Sequence, residues 1–276
     1  MASWTIDSIP AFCITLERRA DRWRRFQDQP GIDGLNIKRF LGVDGKTLNI
    51  KTDPRITTLT KRNILANKRR AHEEIDSVGA IGCSLSHIAI WQWMVDNNQE
   101  LVLVFEDDAV VPTDFVEKAN QCIRNSNILK DSKKWDMWLL GGIWEDFTKI
   151  PEEAEMVRLG AFILSHGYII TNRTAKKFLK DVYPIHCHID MWMSIYSYLE
   201  NLRLVCCPTL NLQQSQRVTT DIQKETGCKI CNVPTDFDKT HKLISKTELQ
   251  IARVAEVMCV ALIGYIVYQQ FMKQKL

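Results

Sequence analysis

Residues 101–108 read LVLVFEDD, five consecutive strand-favouring residues followed directly by Glu106, Asp107 and Asp108. A run without a polar face is typical of a strand buried on both sides, in the middle of a parallel or mixed sheet. Adjacent carboxylates at the end of such a strand repel one another and resist desolvation, so we expect a cation beside them. Ligands of open α/β sheets bind outside the carboxyl ends of the strands, and this stretch therefore predicts a site there.

The three carboxylates indicate which kind of ligand this site would bind. Carboxylate oxygens suit hard divalent ions such as Mg²⁺ and Mn²⁺, which also hold substrate phosphates. The triplet therefore indicates an enzyme that acts on a nucleotide diphosphate. Because an isolated acidic triplet is more often a solvated turn after a core strand, this interpretation depends on the rest of the chain.

The composition is that of a folded soluble body with a substantial core. Hydrophobic residues make up 45% and charged residues 25% of the 276 positions, enough for one large domain or two small ones. The net charge of +3 is too small to predict nucleic-acid binding. We therefore expect no nucleic acid among the partners.

The nine cysteines do not form a spaced disulfide framework. The first residues lack the charged-then-apolar pattern of a secretion signal, so we expect a reducing compartment and buried thiols. Cys228 and Cys231 have zinc-knuckle spacing, but a second pair is missing unless His186 and His188 supply it. Free thiols are the favoured interpretation.

The end of the chain has a different character. Residues 254–272 are almost wholly apolar, with Glu256 as the only charge, and their length is near the short limit for crossing a bilayer as a helix. We expect a transmembrane or membrane-associated helix at 251–272, joined by a linker at 226–250, with the catalytic domain on the cytoplasmic face of the membrane. The alternative is an amphipathic helix packed on the domain.

Strand-like and helix-like segments alternate along the body, which predicts an α/β fold with a largely parallel sheet. Strands are predicted at 11–16, 36–43, 101–105, 135–140, 157–164, 167–171 and 202–207. Helices are predicted after an N-cap at Asp21 and at 61–71, 79–97, 114–125, 174–183 and 189–198. Gly141 and Gly142 are expected to close a strand before a loop at 144–155. Residues 46–78 are polar and poorly periodic, and are expected to be a mobile excursion outside the core.

Several motifs together resemble glycosyltransferase family 25. This family includes bacterial lipooligosaccharide glycosyltransferases and animal procollagen galactosyltransferases, with relatives in large DNA viruses. The blocks that carry the resemblance are CITLERRADR (13–22), RFLGVDGK (39–46), VGAIGCSLSHIAIW (78–91), LVLVFEDDAVV (101–111), WDMWLLG (135–141), SHGYIITNRTAKKFL (165–179), IDMWM (189–193) and the Gln-rich stretch after Pro208. The resemblance covers residues 11 to about 222, and the combination is specific although each motif alone is weak.

The resemblance implies a GT-A-type, Rossmann-like fold over residues 1–225. It also implies a nucleotide-sugar donor, most often UDP-linked, a divalent metal and inversion at the sugar carbon. The expected function is a metal-dependent transfer of a hexose, galactose or glucose, from a UDP-sugar to a hydroxyl of a glycan or protein. An inactive, membrane-anchored scaffold of the same fold is the alternative. A nucleotidyltransferase is disfavoured because no glycine-rich loop follows the first strand.

The same resemblance implies the metal ligands. Glu106 and Asp108 occupy the family's metal-and-ribose motif, and the ion is expected to be Mn²⁺ or Mg²⁺. Asp107 is expected to accept hydrogen bonds from the donor. His166 is the best-aligned third ligand, in competition with His186 and His188.

Other matches imply donor-binding and catalytic residues. Arg18 and Arg22 match a motif whose guanidinium groups are able to hold phosphate oxygens, the alternative being a solvated helix face. Asp44 is expected to contact the nucleoside or to shape its own turn, and Ser86 and His87 are site candidates without a defined role. The catalytic base implied by the resemblance is Asp190, for which a helix N-cap is the alternative. Asp136 is expected to brace a loop.

Overall fold

The structure is a computed structural model that describes residues 4–69, 71, 73–151, 153–215 and 222. Within these residues the strands are β1 (Ala11–Thr15), β2 (Ile37–Leu41), β3 (Leu101–Glu106), β4 (Ala109–Val110), β5 (Met137–Lys149), β6 (Val157–Thr171), β7 (Leu204–Cys206) and β8 (Gln213–Gln214). The α-helices are α1 (Ala20–Gln27), α2 (Thr58–Ala66), α3 (Val78–Asp96), α4 (Phe115–Asn125), α5 (Asn172–Asp181) and α6 (Ile189–Leu199).

Six strands form one mixed sheet in the order β2-β1-β3-β6-β5-β7. Strand β1 is parallel to β2 and β3, and β5 is parallel to β7. Strand β6 is antiparallel to both β3 and β5, so it alone opposes the direction of the other five. The predicted α/β class, with a mostly parallel sheet flanked by helices, is confirmed for the described residues.

Strand β3 is central, as its unbroken apolar run predicts. Val102 and Val104 face a core built with α3, α5 and α6, whereas Leu103 and Phe105 face a second core built with α1 and α4. All four side chains have no exposed surface. Burial of each such side chain stabilises the fold by about 1.5–3 kcal/mol. Helices therefore cover both faces of the sheet, and Glu106 at the end of β3 emerges where these layers end.

Helix α3 is long and apolar because it is buried in the core. Its N-cap Ser77 accepts a hydrogen bond from the backbone N–H of Ala80. By length and composition alone α3 is able to cross a bilayer, and among the described residues it is the one helix that meets that test. However, 61% of the most apolar 18-residue stretch of α3 is buried inside the protein, as expected for a core helix.

Several predicted boundaries are wrong, and the strands predicted at 157–164 and 167–171 are one strand, β6. Helix α1 begins at Ala20 with Arg19 as N-cap, and Asp21 lies in its first turn, where it pairs with Arg19. Strand β5 does not stop at Gly141 and Gly142 but continues to Lys149 in a long hairpin with β6, so no loop begins at 144. The two glycines lie at register shifts between β5 and β6, and a Cβ on Gly141 would lie 2.4 Å from Nε2 of His166.

The expectation that residues 46–78 lie outside the core is also wrong. Ile50, Ile56 and Ile75 are buried in the core with α3 and α6. Backbone bridges join Ile56 to Ile185 and Glu74 to Cys187. The segment is anchored by scattered apolar residues that contact a distant part of the chain, and these leave no periodic pattern in the sequence.

Two other predictions are confirmed. Asp136 is buried and accepts hydrogen bonds from Arg173 and Arg203, which brace the start of β5 against α5 and β7. The six cysteines in the described part of the chain are free thiols, all buried except the half-buried Cys83. The predicted linker at 226–250, the apolar helix at 251–272 and the Cys228–Cys231 pair lie outside the described residues.

Candidate active site

A cleft of about 480 Å³ opens at the carboxyl ends of the parallel strands β1 and β3. The loop after β2, the first half of α3 and the first turn of α6 complete its walls. All but one of the predicted site residues line this cleft: Arg18, Arg22, Asp44, Ser86, His87, Glu106, Asp107, Asp108 and Asp190. Residues that lie up to 172 positions apart in the sequence are therefore gathered at one edge of the sheet.

Glu106 is held in its ionised form. Its Oε1 accepts a hydrogen bond of 2.9 Å from the hydroxyl of Ser165 and lies 3.4 Å from Nε2 of His87. Burial by itself would raise the pKa of Glu106, but the contacts with His87 and Ser165 outweigh it and lower the pKa to about 2. These contacts therefore favour the charged form of the carboxylate at the end of β3.

Asp107 and Asp108 share one cation, the buried guanidinium of Arg22. Nη2 of Arg22 lies 2.5 Å from Asp107 and 3.0 Å from Asp108. Burial and, next, the charge of Glu106 raise the pKa of Asp108 to about 7 in spite of this partner, and burial also raises the pKa of Asp107. The guanidinium therefore does not fully offset the cost of placing three acids together.

The short sheet of β4 and β8 brings a further group to Asp108. Nε2 of Gln214 donates a hydrogen bond of 3.2 Å to Oδ2 of Asp108, and the backbone N–H of Ser215 donates to its carbonyl. The other carboxylate oxygen, Oδ1, is buried and has no hydrogen-bond partner within the described residues. An orphaned buried oxygen beside a second carboxylate fits a divalent cation bound between Glu106 and Asp108.

His166 does not reach the part of the cleft that the structure describes. Its Nε2 lies 2.9 Å from the carbonyl oxygen of Leu212, and its side chain is buried between β6 and the chain before β8. Of the competing histidines, His188 lines the cleft and contacts Arg69, whereas His186 is exposed and lies against the carbonyl of Pro184. Of the three late histidines, His188 lines the cleft, whereas the charge of His166 acts on Glu106 from behind it.

Arg18, which follows β1, and Asp44, which follows β2, form one unit in the wall of the cleft. Nε of Arg18 donates a hydrogen bond of 2.6 Å to Oδ2 of Asp44, while Oδ1 accepts from the backbone N–H of Lys46. The Arg18 hydrogen bond lowers the pKa of Asp44. Asp44 thus caps its own turn at Gly45–Thr47, as one of the two predictions states, and also orients a guanidinium that lines the cleft.

Ser86 and His87 connect α3 to the loop after β2 and to β6 through hydrogen bonds. The hydroxyl of Ser86 accepts a hydrogen bond from the backbone N–H of Val43 and donates one to the carbonyl of Gly82. His87 is fully buried, and its Nδ1 lies 2.9 Å from the hydroxyl of Tyr168. Both side chains position the cleft walls, and both still line the cleft.

Asp190 lies in the first turn of α6, and the N-cap of that helix is His188 rather than Asp190. The carboxylate accepts hydrogen bonds of 2.8 Å from the backbone N–H groups of Leu164 and Met191. Leu164 has a positive φ of 72°, a conformation that a branched side chain rarely adopts. Asp190 therefore ties α6 to a strained point of β6 and presents its carboxylate to the cleft.

Replacement of Arg22 by glutamine is expected to destabilise the protein by about 3–5 kcal/mol, since it leaves two buried carboxylates without their shared cation. Added Mn²⁺ should recover part of this loss, because a divalent ion supplies the missing charge. The measurement is the free energy of unfolding in urea at pH 8, with and without Mn²⁺. Arg24→Gln, on the exposed side of the same helix, is the control. Wild-type stability of Arg22→Gln would contradict the shared role of Arg22.

Comparison with known proteins assigns the chain to a family. The model described as glycosyltransferase family 25 (LPS biosynthesis protein) matches residues 8–193, which include every cleft residue named above except Gln214 and Ser215. A glycosyltransferase 25 family member of Anopheles gambiae is 32% identical over 176 residues, 62% of this chain and 28% of that protein.

Procollagen galactosyltransferases are similar as well. Procollagen galactosyltransferase 2 of Homo sapiens is 27% identical over 170 residues, 60% of this chain and 26% of that protein. The protein of the same name from Mus musculus is 28% identical over 271 residues, 89% of this chain and 42% of that protein. The chain spans between about a quarter and two-fifths of the length of these relatives. From the family match over two-thirds of its length, the chain belongs to glycosyltransferase family 25.

Proposed function

We propose that this chain transfers a hexose from a UDP-sugar to a hydroxyl group of a glycan or protein, in a reaction that needs a divalent metal and inverts the sugar carbon. One observation carries the proposal. In a member of a glycosyltransferase family, Glu106 and Asp108 both line the cleft at the carboxyl end of the central strand, the charge of Glu106 acts on Asp108, and Oδ1 of Asp108 is buried without a partner among the described residues.

The metal would be held by Glu106 and Asp108, and the donor set of oxygens suits Mn²⁺ or Mg²⁺. When bound, the ion would neutralise the negative charge that develops on the diphosphate as the glycosidic bond breaks. Arg22 already holds one face of Asp107 and Asp108, so it keeps the two acids oriented before the ion arrives.

The remaining cleft residues fit recognition of a nucleoside diphosphate. Arg18 is fixed by Asp44 with its guanidinium at the cleft, where bidentate hydrogen bonds to phosphate oxygens are favoured. Lys46 lines the same wall and adds positive charge. Asp44, Ser86, His87 and Asp107 would then form the polar surroundings of the donor.

Inversion requires a base on the face of the sugar opposite the diphosphate. Asp190 is the carboxylate on the α6 wall of the cleft, on a different element from the acids at the end of β3. In the proposed reaction, the acceptor oxygen attacks the sugar carbon, its proton passes to Asp190, and UDP leaves with the bonding electrons.

Galactose is the favoured hexose, because several of the relatives are named procollagen galactosyltransferases. The names of those proteins do not settle the acceptor of this one, since the chain covers less than half of them. A membrane anchor at 251–272 and a location on the cytoplasmic face of a membrane are part of the same proposal.

The experiment is a donor screen with the full chain. The protein is incubated with Mn²⁺ and with UDP-galactose, UDP-glucose or UDP-N-acetylglucosamine in turn, and released UDP is measured. Slow hydrolysis of one UDP-hexose is expected even without an acceptor, with UDP-galactose the fastest. A folded protein that releases UDP from none of the donors would contradict the proposal.

A further inference from the structure

Three side chains with different metal-binding atoms meet in one wall of the cleft. Cys83 and His87 are four residues apart on α3 and therefore lie on the same face of the helix. Glu106 approaches that face from the end of β3. The sulfur, imidazole and carboxylate atoms of the three all lie within 4.8 Å of one another, and all three residues line the cleft.

The imidazole of His87 directs its Nε2 atom toward Glu106 in this group. His87 is fully buried, and its Nε2 makes no hydrogen bond within the described part of the chain. The nitrogen lies 3.4 Å from Oε1 of Glu106, within ion-pair range but without the alignment of a hydrogen bond. Two ligands of one tetrahedral ion would be about 3.3 Å apart, given metal–ligand distances of about 2.0–2.1 Å.

The opposite nitrogen of His87 is held in the manner typical of metal-bound histidines. Nδ1 lies 2.9 Å from the hydroxyl of Tyr168, and that hydroxyl also accepts a hydrogen bond of 3.1 Å from the indole of Trp91. A partner on the far nitrogen fixes the ring orientation and tautomer of a metal ligand. The Tyr168 and Trp91 contacts therefore keep Nε2 aimed at Glu106.

We propose that Cys83, His87 and Glu106 form a binding site for a thiophilic divalent cation, for which Zn²⁺ is the best fit. A thiolate with an imidazole selects zinc over Mn²⁺ and Mg²⁺, which prefer oxygen ligands alone. The ion would take three ligands from the protein and leave its fourth position open to the cleft. Binding releases the thiol proton to solvent.

This site is distinct from the hard-cation site of Glu106 and Asp108, but the two share Glu106. An ion bound by Cys83 and His87 would draw Glu106 toward α3 and away from Asp108. If the proposed transfer reaction is correct, Zn²⁺ should therefore inhibit turnover supported by Mn²⁺. The inhibition depends on the proposed function, whereas the binding of the ion does not.

Two other groups of cysteines require control variants in a test of this proposal. Cys122, Glu155 and Cys207 also gather their ligand atoms within 4.8 Å, and neither cysteine lines the cleft as described. Cys228 and Cys231 have knuckle spacing outside the described residues. Because these groups also contain thiols, the test includes variants that distinguish their signal from that of Cys83.

The test uses Co²⁺ as a spectroscopic substitute for Zn²⁺ in the full chain, with Cys228 and Cys231 both changed to serine in every sample. A thiolate-to-cobalt charge-transfer band and the visible bands of tetrahedral Co²⁺ are expected on titration, and Zn²⁺ should remove both. Cys83→Ser should abolish the charge-transfer band and weaken binding at least tenfold, whereas Cys122→Ser should leave both unchanged. Tyr168→Phe should weaken binding by roughly 10-fold or more while the thiolate band stays.

Either of two results would overturn the proposal: no thiolate band in the parent protein, or a thiolate band that survives Cys83→Ser. His87→Gln provides a second route if Cys83→Ser does not fold, and persistence of tetrahedral bands in that variant would also contradict the site. Because the spectra need no turnover, they decide the proposal even if UDP release is never observed.

Discussion

Asp108→Asn is expected to lower the rate of UDP release by about 10²–10³-fold or more and, at the same time, to make the protein more stable above pH 7. The loss of activity follows because Asp108 supplies one of the two carboxylates proposed to hold the cation. The gain in stability follows because asparagine removes the repulsion between Asp108 and Glu106.

The sign of the pH dependence comes from the raised pKa of Asp108. Burial and the neighbouring charge of Glu106 raise it from 3.8 to about 7, so the folded protein keeps a proton that the unfolded chain has already released. Stability from this group is complete below about pH 4 and is lost as the pH rises through about 7. Asp108→Asn does not lose stability in this way, so its melting temperature should differ least from that of the wild type near pH 4.

The measurements are the melting temperature between pH 4 and pH 9 without metal, and UDP release with Mn²⁺. Asp114→Asn is the control, because Asp114 is an acid at the start of α4 that pairs only with Lys118 among the described residues. A variant with wild-type activity, or one that is less stable than wild type at pH 8, would contradict the role given to Asp108.

Asp190→Asn is expected to reduce transfer by roughly 10²–10⁴-fold while leaving binding of UDP and Mn²⁺ unchanged. Asparagine retains the shape of the side chain and one oxygen that accepts the backbone N–H of Leu164. It is not able to take the proton of an acceptor hydroxyl. The rate constant should therefore fall and the Michaelis constant for the donor should stay nearly constant.

A purely structural role of Asp190 predicts a different outcome. Loss of the hydrogen bond from the backbone N–H of Met191, which the amide nitrogen of asparagine is not able to accept, would then lower the melting temperature and weaken UDP binding together with activity. Calorimetric titration with UDP and a melting curve separate the two cases. Ser194→Ala is the matched control on α6, since the hydroxyl of Ser194 supports β6 through the N–H of Phe162 but does not line the cleft.

The strand that decides the fold was predictable because its signal is local. Five apolar residues ending in acids require a buried strand with a polar end, and β3 and Glu106 have these properties. The gathering of Arg18, Asp44 and Asp190 around the same cleft follows from the family resemblance and not from any pattern within the segments themselves. Their functional roles remain predictions.

The parts that could not be predicted depend on contacts between distant segments. Gly141 and Gly142 carry the same turn signal as the end of a strand, and only the approach of His166 and Leu212 explains why a glycine continues the strand there. Strands β4 and β8 have two residues each, too few for a periodic pattern. The partner that Gln214 gives to Asp108 was missed for that reason.

The pairing of Arg22 with Asp107 and Asp108 was not predicted either. Arg22 lies on a charged helix and was expected to meet phosphate or solvent, whereas it is buried against the acids that follow β3. Likewise, Cys83 gave no functional signal as a single thiol in an apolar helix. Its proximity to Glu106 depends on how α3 packs on the sheet.

The claim that Glu106 and Asp108 hold a divalent cation, so that the diphosphate is able to leave, is tested most directly by metal removal and return. UDP release from UDP-galactose by the full chain is measured with Mn²⁺, after removal of metal with EDTA, and after Mn²⁺ is added back in excess. Release should disappear with EDTA and return with Mn²⁺ in the wild type but not in Asp108→Asn. Equal release in EDTA and in Mn²⁺ would contradict the claim.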